Sequence, residues 1–387
     1  MEFKDKTLLV LTNSYPDSAG RHYGGIFVKE QVDRLREYFG EVYVISPQPF
    51  GINNKILQDY QHENVRVFFP RFFHLPVGYF RKRLGDNFFK SALRVIKKEG
   101  LEFDIIHTHF TWPSGYAGAL LKRSFGRPLI ITAHGYDVYD LPFRGREWFG
   151  KVKAALDSAD HVITVSNRNR EILVEKLSVP VEKVSVIPNG FDSNLFKPLD
   201  KVKAKRKLGL PLDKKIVLNV ANLVPVKGHE FLIRAMVDVL KVRQDVLLVI
   251  VGDGPLRGKL EGLVKKLGLS KHVKFVGAKP HEEIPLWMNA ADLFVLPSLS
   301  EGNPTVMFEA LGVGLPFIGT TVGGIPEVIK SEDYGLLCPP ADPDCLAEKI
   351  LIALNREWDK RKIEEYGRTF AYDNVSVQIL KKYREVL

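Results

Sequence analysis

Three observations predict two doubly wound α/β domains. The chain has 387 residues, a length that suits two domains. Strand-length apolar runs alternate with amphipathic helical stretches from end to end. Residues 196–214, with Pro198, Pro211 and a run of lysines, hold no apolar strand, and a fresh alternation begins at Lys215. The expected domains are therefore 1–196 and 197–371.

In the first half, strands are expected at 6–12, 42–45, 65–68, 104–107, 128–132, 161–165 and 183–187. A helix is expected over 27–39, with Val28, Val32 and Leu35 on one face, and a basic amphipathic helix over 85–99. In the second half, strands are expected at 215–220, 246–251, 273–276, 293–297 and 317–319, with a helix over 230–240. A last helix is expected over 374–386. No short internal repeat or low-complexity tract interrupts the pattern.

Composition is that of a soluble globular protein, 45% hydrophobic and 26% charged. No apolar run reaches the roughly 18 residues needed to span a bilayer, and the N-terminus does not read as a signal peptide. A cytoplasmic protein is expected. Cys338 and Cys345 have no metal-ligand spacing and are expected to be buried free thiols.

Net charge is +10, with 56 Lys and Arg against 46 Asp and Glu. Residues 66–98 alone hold nine basic residues against Asp86, a net of +8, with eight aromatics interleaved. Arg81, Lys82 and Arg83 are the densest basic run. Basic heads beside aromatic bodies suit an anionic membrane surface or a phosphate-bearing lipid. The competing reading is a core-facing aromatic stripe with a solvated basic back. No recognised nucleic-acid motif accompanies the charge, so nucleic acid is not an expected partner.

The most informative segment runs from Glu301 through Gly302, Asn303, Pro304 and Thr305 to Glu309. A carboxylate ends a loop, small residues and a proline open a helix, and a second carboxylate follows on that helix. A helix N-terminus carries about +0.5 of an elementary charge and unpaired N–H donors, so amides around Gly302, Asn303 and Thr305 suit a phosphate. Glu309 can accept from vicinal hydroxyls such as those of a ribose. Two carboxylates eight residues apart are by themselves more often solvated acids. Here a buried strand precedes them and another follows, and in parallel α/β sheets ligands bind at the carboxyl ends of strands.

With these motifs the chain resembles the family 4 retaining glycosyltransferases of the GT-B fold, whose two Rossmann-like domains face a central cleft. The resemblance covers nearly the whole chain. It implies that Glu309 holds the donor ribose, that Glu301 lies near the sugar and its leaving phosphate, and that the intervening amides contact sugar hydroxyls. It also implies that the closing helix, within 372–387, crosses back onto the N-terminal domain.

Further site residues follow from the resemblance. Lys227, after a strand and before a helix, matches the family's phosphate-binding lysine. Five residues earlier the family often has an arginine, and this chain has Asn222, which cannot supply the fixed charge and bidentate fork of a guanidinium. His134, at a strand end beside Gly135, matches a histidine that contacts the donor sugar. The loop with Arg21, His22, Tyr23, Gly24 and Gly25 stands where the family's glycine pair lies beside phosphates and acceptor. Gly252, in a Gly-Asp-Gly-Pro turn, and Val276, on a strand read as base-contacting through its backbone, complete the donor set. His107 and His109 also end a strand. They are read as alternating faces, so that at most one reaches the site, and a zinc pair is discounted for want of a third ligand.

The expected activity is glycosyl transfer with retention, from a UDP-sugar or GDP-mannose to a hydroxyl of a lipid-linked, polysaccharide or other glycan acceptor. No Asp-x-Asp pair is placed by a strand end to hold a divalent cation, so no metal or other cofactor is expected. His134, Lys227 and Glu301 are the catalytic candidates. Peripheral association with the cytoplasmic membrane face is expected through Arg81, Lys82 and Arg83. The alternatives are a nucleotide-sugar epimerase on the same architecture and a basic membrane-surface binding protein.

Overall fold

The computed structural model describes residues 3–18, 24–50, 56–75 and 77–387. The chain divides into two compact units, 1–188 with 372–387, and 189–371.

The first unit contains β1 (Phe3–Leu11), β2 (Phe39–Ile45), β3 (Gln48–Phe50), β4 (Tyr60–His62), β5 (Val65–Phe68), β6 (Arg71–Phe73), β7 (Ile105–His109), β8 (Leu129–Ala133), β9 (His161–Thr164) and β10 (Val184–Val186). Eight of them form one sheet in the order β10-β9-β8-β7-β1-β2-β5-β4, and β3 pairs with β6 separately. Every pairing in the large sheet is parallel except β4 with β5. A strand covered on both faces needs an unbroken apolar run. Leu8, Leu9, Val10 and Leu11 are such a run, fully buried. Leu9 and Leu11 join one core layer while Leu8 and Val10 join the opposite one.

The second unit contains β11 (Lys215–Val220), β12 (Val246–Val251), β13 (Val273–Gly277), β14 (Leu293–Leu296), β15 (Phe317–Thr320) and β16 (Gly335–Cys338). They form a parallel sheet in the order β13-β12-β11-β14-β15-β16. Core layers cover both faces here too.

Several sequence expectations are corrected. The helix expected over 27–39 is Ile26–Leu35, and Phe39 opens β2 opposite Phe3. Helical periodicity runs on through Phe39, but strand pairing wins, with the ring stacked on Phe3 at 5.2 Å and edge-on to Tyr383 at 5.7 Å. The boundary between the units falls at 188/189 and not at 196/197, because Phe191 and Phe196 are buried in the second unit's core. The segment 196–214 contains a helix, Lys201–Lys207, capped by the Asp200 carboxylate, which accepts from the Lys203 amide at 2.7 Å. The strand β16 escaped the sequence reading. Cys338 is buried but Cys345 is half-buried, and both are free. The helix Tyr372–Val386 lies in the first unit, where Tyr383 is fully buried.

Asp292 ties the segment before β11 to its sheet. Its carboxylate pairs with Lys201, lies 3.6 Å from Lys215 and 4.0 Å from Lys205, and accepts from the Ile216 amide at 2.8 Å. Burial alone would raise its pKa, but the Lys201 hydrogen bond and charge, the Ile216 amide and Lys205 outweigh burial and lower it. A depressed carboxylate stabilises the fold above its unfolded pKa of about 4, and loses that contribution as pH falls through the folded value. Asp292→Asn should cost about 2 kcal/mol at neutral pH, since buried Lys205 loses its counter-charge. For a unit of this size that is a fall in Tm of roughly 4–8 °C. The gap from the unsubstituted chain should close in melts taken below about pH 4.

Candidate active site

Doubly wound sheets place ligands where the winding reverses, at the carboxyl ends of the strands. In the second unit the chain steps outward from β11 to β12 and β13, then returns to the other side of β11 for β14. The reversal lies between β11 and β14. Lys227 follows β11 and Glu301 follows β14, and the two side chains meet there, Nζ to Oε1 at 2.5 Å. The Ser298 hydroxyl donates to the same Glu301 oxygen at 2.7 Å. Glu301 keeps 9% of its side-chain surface exposed and Lys227 keeps 23%.

The loops carrying this pair are stitched by the backbone. The Leu299 amide donates to the Val226 carbonyl at 2.8 Å. Gly228 has φ +64°, and a Cβ there would lie 2.0 Å from the Pro297 carbonyl oxygen. The Glu301 loop is fixed from the β15 side as well. The Thr320 hydroxyl donates to the Ser298 carbonyl at 2.6 Å, and the Gly324 amide donates to the Gly302 carbonyl at 2.8 Å.

Pro304 caps the helix Thr305–Gly312, and buried Glu309 lies just over one turn in. Asn303 is buried. Its side-chain oxygen accepts from the Asn189 amide at 3.1 Å and its carbonyl accepts from the Asn189 side chain at 2.7 Å, so its side chain shapes the loop. Asn222 is exposed after β11. Gly252 follows β12 with φ +140°, where a Cβ would lie 2.0 Å from the Ala221 carbonyl oxygen. Its glycine is thus demanded by the neighbouring loop. On edge strand β13 the register passes from Phe275 to Gly277, and Val276 is the extra residue of a bulge, outside the ladder with β12.

In the first unit the reversal lies between β1 and β7. Gly25, in the loop after β1, has φ +79°, and its missing Cβ leaves room for the Ser14 carbonyl oxygen at 2.2 Å. Arg21, His22 and Tyr23 lie outside the described residues. His134 follows β8. Its ring lies 4.8 Å from Phe27 and 4.7 Å from Phe110, and its Nε2 is 3.0 Å from His109 Nδ1.

The expectation that His107 and His109 alternate faces is overturned. Residues two apart on a strand share a face, and the rings stack at 4.7 Å, both fully buried. Burial and neighbouring imidazoles lower both pKa values, that of His107 to about 3. Among the described residues no group of three or more His, Cys, Asp or Glu is placed to hold a metal ion. Sequence reasoning also missed Asp137. This buried carboxylate accepts from the amides of Thr111, His134 and Gly135 at 2.7, 3.1 and 2.9 Å, and so fixes the His134 backbone. The one signal was its place three residues past His134.

The basic aromatic stretch divides. Phe68, Phe69, Phe72 and Phe88 are buried in core layers, and the side chain of Tyr79 is outside the described set. Phe73 is 51% exposed and packs against Phe50 and Phe80. Arg81, Lys82 and Arg83 are exposed, and Lys82 pairs with Glu147 at 2.6 Å. Among the described residues no helix is long and apolar enough to cross a membrane.

Two doubly wound units, each with polar residues gathered where its winding reverses, are the architecture of the GT-B fold. The comparisons agree. Residues 24–195 match the model described as Glycosyltransferase Family 4, and residues 200–370 the model described as Glycosyl transferases group 1. The chain is 32% identical over 357 residues to a putative teichuronic acid biosynthesis glycosyltransferase, TuaC, of Bacillus subtilis, across 89% of this chain and 88% of that one. It is 28% identical over 315 residues to a D-inositol 3-phosphate glycosyltransferase of Corynebacterium efficiens, across 76% and 74% of the two chains. Among solved structures, sucrose-phosphate synthase from Thermosynechococcus elongatus matches with a TM-score of 0.80 at 26% identity, across 98% and 99%. The chain belongs to the family 4, group 1 glycosyltransferases. The epimerase weighed from the sequence is not favoured by these relatives.

Gly323 tests the frame of the site. Its φ is +55°, and a Cβ would lie 1.9 Å from the Glu301 carbonyl oxygen. Gly323→Ala should cost about 2 kcal/mol, from left-handed strain and displacement of the Glu301 loop. Calorimetry should show the lower Tm, and titration calorimetry should show weakened nucleotide binding.

Proposed function

We propose that the chain transfers a glycosyl residue, with retention, from a UDP-sugar or GDP-mannose to a hydroxyl acceptor, without a metal cofactor. One observation carries this reading: an ammonium and a carboxylate meet where the second sheet reverses, beside a helix start. Lys227 is held by Glu301. With donor bound, Lys227 turns to the diphosphate, and Glu301 is released to accept from sugar hydroxyls. Amides of Gly302, Asn303 and Thr305, past Pro304, share the phosphate charge, and Glu309 holds the ribose. The base lies along the Val276 bulge, with Gly252 and Asn222 beside the phosphates. Gly25 and His134 keep the roles that the family resemblance implies for them.

Charge that develops on the departing diphosphate falls on preorganised dipoles and one ammonium, a term worth roughly 10²–10³ in rate per donor. In a same-face displacement a leaving phosphate oxygen takes the acceptor's proton, so no carboxylate has to act as a nucleophile. The names of the relatives, teichuronic acid biosynthesis and inositol 3-phosphate, support a glycan or phosphate-bearing acceptor. We assign Phe73, Phe80, Arg81, Lys82 and Arg83 to contact with an anionic membrane surface on which a lipid-linked acceptor is presented.

Glu309→Ala should raise the dissociation constant of the nucleotide roughly 10–100-fold, the loss of hydrogen bonds to a charged group. His134→Ala should lower kcat more than it weakens donor binding. Equal, small effects of the two substitutions would count against the assignment. A thermal-shift panel of uridine and guanosine diphosphates and their sugars identifies the donor, since a ligand at 100 times its Kd stabilises by about 2.7 kcal/mol.

Flotation with anionic vesicles tests the surface separately. The Arg81, Lys82, Arg83 triple alanine should lose vesicle binding and keep its activity on a soluble acceptor. Undiminished flotation would remove the basis of the membrane assignment.

A further inference from the structure

We propose that a second ligand site lies between the helices His229–Val242 and Arg257–Lys266, and that it takes a small organic oxyanion, a phosphate or carboxylate on an apolar body. The inference stands apart from the donor assignment.

The two helices follow β11 and β12, neighbouring strands of the second sheet. Between them is a cavity of about 280 Å³. Leu256, Leu260 and Leu263 give it an apolar wall, at the i, i+4, i+7 spacing that puts them on one face. Pro225 and Gly228, on either side of Lys227 in the chain, line it as well. Three exposed cations, Arg234, Lys259 and Lys266, complete the lining with Glu230. Among the described residues none of the three cationic side chains makes an ion pair or hydrogen bond. Three positive charges against one carboxylate leave the described lining at +2.

His229 supplies the specific donor. It is 2% exposed and lines the cavity. Burial first, and then the Lys227 charge, lower its pKa to about 4, so the ring is neutral near pH 7. A neutral imidazole carries one N–H, on Nδ1 or on Nε2. Both nitrogens are shielded from bulk water, and neither has a hydrogen-bond partner among the described residues. The choice of tautomer therefore does not matter. In either one a buried donor goes unmet, which costs free energy. An oxygen acceptor seated in the cavity meets that donor, and the three free cations select an oxygen that bears charge.

Gly262 keeps the space open. It lies inside its helix, where glycine is less favourable than alanine. A Cβ there would meet nothing within 4 Å, so no packing contact demands the glycine. Its effect is a bare stretch of helix in the cavity wall, where a larger side chain would stand in the ligand's place.

Titration calorimetry on the full chain tests the site with phenyl phosphate, and with phenol and inorganic phosphate beside it. Phenyl phosphate should bind more tightly than either, since phenol lacks the charge and phosphate lacks the apolar body. Gly262→Leu should weaken that binding roughly tenfold or more by filling the cavity, and its Tm should not fall, because leucine is the better helix former. Lys259→Gln combined with Lys266→Gln should also cost roughly tenfold. His229→Leu should weaken binding and raise the Tm of the probe-free chain, because it removes the unmet donor. Lys227→Ala should leave most of the affinity. If His229→Leu does not fold, Gly262→Leu and the double glutamine variant decide. Phenol or inorganic phosphate binding as tightly as phenyl phosphate, or Gly262→Leu or the double variant binding as the unsubstituted chain does, would overturn the inference. Binding lost in Lys227→Ala but kept in Gly262→Leu would put the probe at the donor site, overturning this inference while leaving the donor reading intact.

Discussion

The site in the second unit depends on a close backbone approach where its sheet changes direction. Loops leaving β11 and β14 come so near that a single methyl group at Gly228 would collide with the Pro297 carbonyl. The same holds one strand outward on either side, at Gly252 against Ala221 and at Gly323 against Glu301. Three glycines thus let four loops interlock through main-chain contacts. Main-chain geometry is stiffer than side-chain packing, and it delivers Lys227 and Glu301 to the same point without relying on their own flexible stems. The charged pair is a product of that frame, and its partial exposure leaves it open to rearrangement by an incoming anion.

This frame also explains which features could be read in advance. Central strands such as β11 and β12 were legible because burial on two faces demands unbroken apolar runs. β16 was not, since Gly335, Leu336, Leu337 and Cys338 are short, begin with a glycine and lie at the sheet's edge. The helix end near Phe39 was misread because a large apolar residue at helical spacing serves equally well as the first residue of a strand. Lys227, Glu301 and Glu309 were singled out through the resemblance to a family, since a lysine before a glycine, or two carboxylates eight residues apart, say little by themselves. The contact between Lys227 and Glu301, across 74 residues, was not legible, since only the strand order brings them together. The glycines show the same limit. Gly252 reads as a ligand-facing turn, yet the neighbouring carbonyl is reason enough for it.

The first unit handles its polar residues by the opposite physics. There His107 and His109 are fully buried, where a charged imidazole is costly, and both stay neutral. A neutral ring has one donor and one acceptor, so a chain of such rings carries a direction. Tyr383 and Thr132 hold the two nitrogens of His107, at 2.6 and 2.7 Å. The last helix of the chain therefore does more than close the first unit's core. Its hydroxyl lies 2.6 Å from His107 Nδ1, the His107 ring stacks on His109, and His109 Nδ1 lies 3.0 Å from His134 Nε2. A carboxylate in place of either ring would put an uncompensated charge into a fully buried layer. Neutral rings add no net charge to that layer, whereas the second unit carries an ammonium and a carboxylate on its own frame. Burial thus selects uncharged hydrogen-bond partners in the first unit's sheet, and partial exposure admits an ion pair in the second.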